Sequence, residues 1–341
     1  RVLILGTGEM ANTHATAYRN IDHCEVVGGV DNNKSRLNTF CDTHGIAHRF
    51  TSIESALEWN GFDAVSNVTP DGVHYRTTLP VIAAGKHVLC EKPLTVNTSD
   101  AQAMADAANT AGIVNGVNLS YRSVPAMQKA AAMVAAGDIG TVRHFEASYL
   151  QSWLTQNAWG DWKSESQWLW RLSSAHGSNG VLGDVGIHII DFATFVAGSL
   201  PVRWSSMLHT FDKVPGNIID HYQLDANDSF VMHAQLGNGA LGTISASRFA
   251  SGHLNDLRLR IYGTDGGLEV LFEKGISRLR GCLAQDLPEA NWYDIDCPAV
   301  PDNYQRFIAA IQQGRQGPPD FNRGAELQHL IDQMLQEQPA Q

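Results

Sequence analysis

Cysteine is scarce in this chain of 341 residues: Cys24, Cys41, Cys90, Cys282 and Cys297 are odd in number, scattered, and form no C-x-x-C pair. Neither a disulfide framework nor a zinc site is indicated, and a reducing compartment, the cytoplasm, is expected. Basic blocks are missing as well. With 24 basic against 35 acidic residues the net charge is −11, which argues against nucleic acid or an anionic membrane as partner and for a small molecule. No apolar run approaches the roughly 20 residues needed to span a bilayer. Only 17% of residues are charged and 43% are apolar, a globular rather than a disordered balance. There is no internal repeat and no low-complexity segment. Arg1 falls directly on a buried-strand pattern, so preceding residues, a cleaved leader among them, stay open.

This length exceeds the roughly 100 to 200 residues of a typical domain, and two domains are expected: a dinucleotide-binding domain over 1–120 and a second, α+β domain over 121–341. In the first, short apolar runs (2–5, 25–30, 63–68 and 86–90) alternate with helical patterning at 78–84 and 98–111. Such runs suit parallel strands covered on both faces, hence α/β with a doubly wound sheet. After Tyr121 come a helix over 125–136 and longer alternating stretches at 142–150, 229–236, 242–248 and 257–262. These predict a large, mainly antiparallel sheet. Helical patterns at 304–313 and 325–336 close the chain and are expected to pack back against the body.

Gly6-Thr7-Gly8-Glu9-Met10-Ala11 follows the first strand and opens a helix, the placement that gives a glycine fingerprint meaning. Gly6 permits the tight turn, Gly8 lets pyrophosphate approach the backbone, and the N–H groups at the helix start, with Glu9 and Met10, face the anion. Asp31 ends the second strand, where a carboxylate accepts the ribose hydroxyls and repels a 2'-phosphate. That favours NAD; Lys34 and Arg36 close by keep NADP open, and the alternative reading is that Asp31 merely caps the next helix.

Two further segments, Val88-Leu89-Cys90-Glu91-Lys92-Pro93 and Gly183-Asp184-Val185-Gly186-Ile187-His188-Ile189-Ile190-Asp191, make the chain resemble the glucose-fructose oxidoreductase, inositol dehydrogenase and rhizopine-catabolism family, Gfo/Idh/MocA. Asn67-Val68-Thr69-Pro70 with His74 resembles that family's strand-end T-P-x-x-x-H, and Tyr121-Arg122 with Pro125 its domain junction. The resemblance implies a Rossmann domain followed by an α/β domain whose open sheet forms a homodimer or homotetramer interface, with nicotinamide and substrate in the cleft between domains. It implies that Lys92 binds the reacting oxygen, that His188 is the proton acceptor or donor, and that Asp184 orients the substrate and tunes both. Lys92-Pro93 is often cis in the family. Thr69, Pro70, His74, Glu91, Lys92, Trp170 and Arg171 become candidate cofactor contacts, and Tyr121, Arg122 and Arg171 candidate substrate contacts. The lead-in Ala175-His176-Gly177-Ser178-Asn179-Gly180 departs from the family's glycine-rich pattern and is a candidate pocket loop.

The implied set suits the chemistry. Loss of a hydride from a carbinol carbon requires the hydroxyl proton to leave, which a histidine accepts near neutral pH. A lysine cation beside the same oxygen stabilises alkoxide character, and Asp184 shares a face with His188 if the segment is helical. Asp191 and Glu91 also read as structural, pairing or capping nearby groups. Five of eight tryptophans fall within 151–171; indole faces suit the C–H faces of a sugar, which makes Trp153 a candidate substrate contact, and equally they anchor a long loop. The expected activity is an NAD(P)-dependent oxidoreductase acting on a sugar, anhydrosugar, cyclitol or related polyol. An NAD-dependent glycoside-cleaving enzyme with transient redox, or a non-catalytic dinucleotide sensor, stays open.

Overall fold

The computed structural model describes residues 1–157 and 159–337. In the first unit β1 (Val2–Leu5), α1 (Glu9–Arg19), β2 (Val26–Val30), α2 (Lys34–His44), β3 (His48–Phe50), α3 (Ile53–Trp59), β4 (Ala64–Asn67), α4 (His74–Ala83), β5 (His87–Cys90), α5 (Thr98–Ala111) and β6 (Asn115–Val117) alternate. The strands form one parallel sheet in the order β3-β2-β1-β4-β5-β6. All four residues of β1 are buried, as befits a strand covered on both faces. Helix ends follow local chemistry: the Asn33 and Asn97 side chains cap α2 and α5, and Gly45 and Gly112 end them in the left-handed conformation. The short strands β3 and β6 carry too few residues to show a pattern, and α4 begins four residues before its apolar periodicity does. Strand order reverses between β1 and β4, the position where open α/β sheets leave a ligand crevice.

The second unit holds α6 (Pro125–Ala136), β7 (Val142–Leu150), α7 (Ser166–Leu169), α8 (Ile187–Val196), β8 (Pro201–His209), a ribbon of β9 (Ile218–Ile219) and β10 (Tyr222–Gln223), β11 (Ser229–Leu236), β12 (Leu241–Ser247), β13 (Asp256–Gly263), β14 (Gly266–Glu273), β15 (Ile276–Leu283) and β16 (Tyr293–Ile295). Eight strands make one sheet in the order β16-β15-β14-β13-β7-β12-β11-β8, antiparallel throughout except for the parallel pair β7 and β12. Helices α6 and α8 cover one face. Along β11, Phe230, Met232, Ala234 and Leu236 point to that covered side, while Val231 and His233 face outward.

The last helices are α9 (Asn303–Gln313) and α10 (Phe321–Gln336). Residues 301–332 group with 1–120, and the second unit runs over 121–300 with only the tail beyond 332. Helix α9 starts in a capping box of Asp302 and Gln305. Its Phe307 and Ile308 join Val2, Ile4, Ala11 and Leu89 in one core cluster. Asp332 on α10 accepts from both the backbone N–H and the hydroxyl of Thr98, at 2.6 Å each, at the start of α5. Among the described residues, no helix is long and apolar enough to cross a membrane.

Candidate active site

Gly6 has φ +88°, and a Cβ there would stand 2.8 Å from the backbone of Val68 and Thr69; only glycine fits this approach of the fingerprint turn to the end of β4. A Cβ at Gly8 would meet nothing within 4 Å, and Gly8 caps α1 without a side-chain hydrogen bond. The start of α1, with the Glu9 and Met10 backbone, is therefore an open cradle bearing the positive end of a helix dipole, which fits a dinucleotide pyrophosphate. Beside it, Thr7, Gly8, Glu9, Asn12, Asn33 and Arg36 line an open depression.

Asp31, at the tip of β2, accepts five hydrogen bonds: from the Thr7 N–H and hydroxyl, the Asn33 N–H, and Arg36 Nε and Nη2, all at 2.8–2.9 Å. Burial acts against its charge, but Arg36 and then the Thr7 and Asn33 donors outweigh it and lower the carboxyl to about 2. The bidentate Arg36 pair is what the sequence reading did not foresee. A ribose approaching Asp31 meets a carboxylate already engaged.

Lys92 and Pro93 follow β5 through a cis peptide bond. The side chain of Glu91 turns into the first unit rather than toward a ligand: it meets His14 Nε2 at 2.9 Å and accepts from Asn118 Nδ2 at 2.6 Å. His14, fully buried on α1, reaches Ser66 Oγ on β4 at 2.8 Å. Glu91 is desolvated, yet His14, Asn118 and Lys92 lower its carboxyl to about 2. His74, the other candidate cofactor contact here, has interior partners as well. Its ring is buried and both nitrogens meet backbone carbonyls, those of Pro93 and Thr69. Thr69 donates its hydroxyl to Asn67 Oδ1 at 2.7 Å; it is half-buried and Pro70 exposed on the turn after β4.

In the second unit, Leu182–Gly186 forms a π-helical turn leading straight into α8, a wide turn of the kind frequent at functional sites. It carries Asp184, and His188 sits in the first turn of α8. The Asp184 carboxylate lies 2.9 Å from Arg248 Nη2 and 3.7 Å from Arg171 Nη1. Arg248 is completely buried and also donates to the carbonyls of Arg171 and Gly180. Burial pushes its guanidinium down while Asp184 and Asp228 hold it up. A second buried pair, Lys213 with Asp228, lies at the β12 end of the same charge group.

The Tyr121 ring stands edge-on to His188 with centroids 5.0 Å apart, and edge-on to Tyr149 at 5.5 Å. The Tyr121 hydroxyl accepts from Asn255 Nδ2 at 2.7 Å and shares a hydrogen bond with the Tyr149 hydroxyl, which also donates to Asn255 Oδ1. Gln151 donates to the same Asn255 oxygen at 2.9 Å. Burial, with Tyr121 beside it, raises the Tyr149 phenol well above its ordinary range. The second unit thus gathers imidazole, carboxylate, guanidinium and a hydroxyl–amide network, the donors and acceptors that recognise a polyol.

Two candidate substrate contacts, Arg122 and Trp153, have interior partners. Arg122 is buried in a bidentate pair with Asp191, at 2.6 and 2.7 Å, with its guanidinium 3.7 Å from the Phe195 ring centre. Trp153 is buried beneath Arg248 in a cluster with Leu154, Trp162, Leu169, Leu172 and Leu224, so the tryptophan-rich stretch is mainly an anchored loop. Arg171 lies over Trp170, 4.7 Å from its ring centre, and faces Asp184; His176 rests against Tyr222.

Tyr149, Asn255 and Arg248 were not among the candidate site residues. The alternation that places Phe145 and Ala147 inward continues to Tyr149 and Gln151, and the one that places Gly242, Ile244 and Ala246 inward continues to Arg248. A charged residue in phase with a buried strand face was a readable signal. Among the described residues no group of His, Cys, Asp and Glu could hold a metal ion.

A parallel Rossmann sheet with an open fingerprint turn, followed by a sheet domain carrying this polar cluster, defines the class as a dinucleotide-binding α/β protein of the oxidoreductase type. Residues 1–119 match the family model described as "Oxidoreductase family, NAD-binding Rossmann fold", residues 127–269 match that of the GFO/IDH/MocA C-terminal domain, and the chain belongs to the Gfo/Idh/MocA family. Among curated relatives, levoglucosan dehydrogenase of Pseudarthrobacter phenanthrenivorans is 29% identical over 67% of this chain and 62% of its own length. The 1,5-anhydro-D-fructose reductase of Ensifer adhaerens is 33% identical over 54% and 53%. The match to these two therefore spans less than two thirds of their length. Among solved structures, an oxidoreductase domain protein from Kribbella flavida superposes with a TM-score of 0.85 at 29% identity, covering 98% of this chain and 96% of that one. A levoglucosan dehydrogenase in complex with NADH and levoglucosan gives 0.85 at 24% identity, with the same coverage, and shares the fold.

Proposed function

We propose that this chain is an NAD(P)-dependent dehydrogenase or reductase acting on a CH–OH carbon of a sugar, anhydrosugar, cyclitol or related polyol. The observation that carries the reading is the Asp184-to-His188 segment, where a wide helical turn sets an arginine-held carboxylate before a histidine flanked by Tyr121 and its hydroxyl–amide network. A bound nicotinamide supplies the two-electron acceptor or donor. His188 takes the hydroxyl proton in oxidation and returns it in reduction, the Lys92 ammonium holds the oxygen and stabilises its developing negative charge, and Asp184 accepts from a substrate hydroxyl. Tyr121, Tyr149, Gln151, Asn255 and Arg171 read the remaining hydroxyls. Gly6, Gly8, Glu9, Met10 and Asp31 serve the cofactor, with Thr69 and Pro70 beside them. The anhydrosugar activities in the names of the two curated relatives support the same substrate class.

The chain is further proposed to work in the cytoplasm as a homodimer or homotetramer. Val202, Met207, Val231 and Leu241 stand exposed on neighbouring strands of the second sheet, an apolar surface suited to self-association. The test of function is an absorbance screen at the reduced-nicotinamide band over monosaccharides, anhydrosugars, glycosides and inositols, with NAD and with NADP. A substrate-dependent signal that His188→Ala lowers by about 10²- to 10⁴-fold in kcat supports the assignment. Silence across the panel with dinucleotide binding intact refutes it, and aglycone release without net reduction redirects it to glycoside cleavage.

A further inference from the structure

His74 opens α4 with its ring fully buried. Nδ1 lies 2.9 Å from the carbonyl oxygen of Pro93, and Nε2 lies 2.7 Å from the carbonyl oxygen of Thr69. Carbonyl oxygens only accept. A neutral imidazole has one N–H and one lone pair, so in either tautomer it would satisfy one carbonyl and aim its lone pair at the other. Both contacts are hydrogen bonds only when both nitrogens carry protons. We propose that His74 is a buried imidazolium that ties the Thr69 turn to Lys92–Pro93 and acts as a positioning residue for Lys92.

The surroundings agree with a cation there. Desolvation, the largest single influence, opposes the charge, as does the start of α4. The Cys90 side chain at the end of β5, Asp71 in the turn before α4 and the Pro93 carbonyl act in the other direction and together raise the ring to about 10. The clasp also sits in a chain of close contacts within the first unit. The glycine fingerprint leans on Val68 and Thr69 through Gly6, Thr69 is bonded to His74, and His74 is bonded to Pro93, the neighbour of Lys92. The turn that receives pyrophosphate and the lysine that meets the reacting oxygen are thus connected through one charged ring. The Lys92 part of the proposal rests on the function proposed above; the charge of His74 does not.

The experiment has two arms. In the first, the full chain is labelled with ¹⁵N-histidine, the His74 ring is assigned by its disappearance in His74→Gln, and its nitrogens are followed from pH 6 to 9. Both are expected to stay protonated across the range, while the pattern of a neutral ring with one bare nitrogen at pH 8 overturns the charge assignment. If His74→Gln fails to fold, His74→Asn serves, or the assignment proceeds through contacts with Thr69 and Pro93 in the unaltered chain. These ring signals decide the charge whatever reaction the chain catalyses.

In the second arm, kcat and dinucleotide Kd are measured for His74→Gln, Lys92→Ala and the double variant on the substrate found by the screen. Gln donates to one of the two carbonyls at a time. The expected result is a loss of about 10²-fold in kcat, the scale of a 1 Å misplacement, with Kd changed little. The same substitution in the Lys92→Ala background should then cost almost nothing more. A loss that multiplies fully with that of Lys92→Ala, or falls on Kd alone, overturns the positioning role.

Discussion

Removing either partner of the Asp184–Arg248 pair should destabilise the chain unequally, because one partner can return to water and the other cannot. Arg248 has no exposed side-chain surface, whereas 29% of the Asp184 side chain is exposed. Asp184→Ala leaves a guanidinium sealed over the Trp153 ring, 5.1 Å from its centre, with the carbonyls of Arg171 and Gly180 as partners. Breaking a buried pair in this sense costs about 3 to 5 kcal/mol. The charge of Asp228, already shared with Lys213, offsets part of that, so about 3 kcal/mol is expected. Arg248→Met leaves a carboxylate that rehydrates and keeps Arg171 at 3.7 Å. The main cost is then two carbonyls without their donor, together about 2 kcal/mol. Asp184→Asn, which retains an acceptor oxygen, should fall below Asp184→Ala. Urea unfolding followed by tryptophan emission and by far-ultraviolet circular dichroism measures the order. At about 2 to 4 °C per kcal/mol for a unit of this size, Tm should fall by about 6 to 12 °C in Asp184→Ala. If Arg248→Met proves the more damaging by 1 kcal/mol or more, the argument from unequal burial is wrong.

Arg36→Ala should leave turnover with NAD nearly intact and cut kcat/KM with NADP by about 10- to 100-fold, the scale of a charge-assisted hydrogen bond to phosphate; equal loss with both cofactors would show that Arg36 serves only to hold Asp31. Because the Glu91 carboxyl is lowered to about 2, its stabilising share is complete above the ordinary carboxylate range and lost as pH falls from about 4.5 toward 2. Glu91→Gln should therefore be less stable than the unaltered chain at pH 7, with the difference narrowing by pH 3 in thermal melts. Tyr149→Phe keeps the buried ring and removes the hydroxyl shared with Tyr121 and Asn255. It should cost about 1 kcal/mol of stability and raise KM for the polyol about tenfold, measured by steady-state kinetics.

Much of the chain was legible because the relevant physics is local. A four-residue apolar strand, a glycine turn and a helix start lie within ten residues, so the fingerprint at Gly6 and Gly8 could be read together with its role. The inward phase of β7, β11, β12 and β13 could be read from alternation, and α5, α6 and α9 from periodicity. The Glu91-Lys92-Pro93 and Asp184-to-His188 segments were singled out through their resemblance to the family, not by composition or periodicity. Strands β8, β14, β15 and β16 gave weaker signals: β8 is largely exposed on both sides of its alternation, and β14 is buried at five successive residues, Gly266–Val270.

What depended on tertiary structure is everything that joins residues distant in sequence. Arg36 reaches back to Asp31 only because α2 turns over the end of β2, and that pairing changes what Asp31 offers a ribose. Glu91 faces His14 across 77 positions of sequence, which ties its carboxylate to the interior of the first unit. Arg122 finds Asp191, Arg248 finds Asp184, and Tyr121 finds Tyr149 and Asn255 through strand register and helix docking, and none of these pairings leaves a mark in spacing. The return of residues 301–332 to the first unit was hidden for the same reason: an amphipathic helix announces that it has an apolar face, and only packing decides which core that face completes.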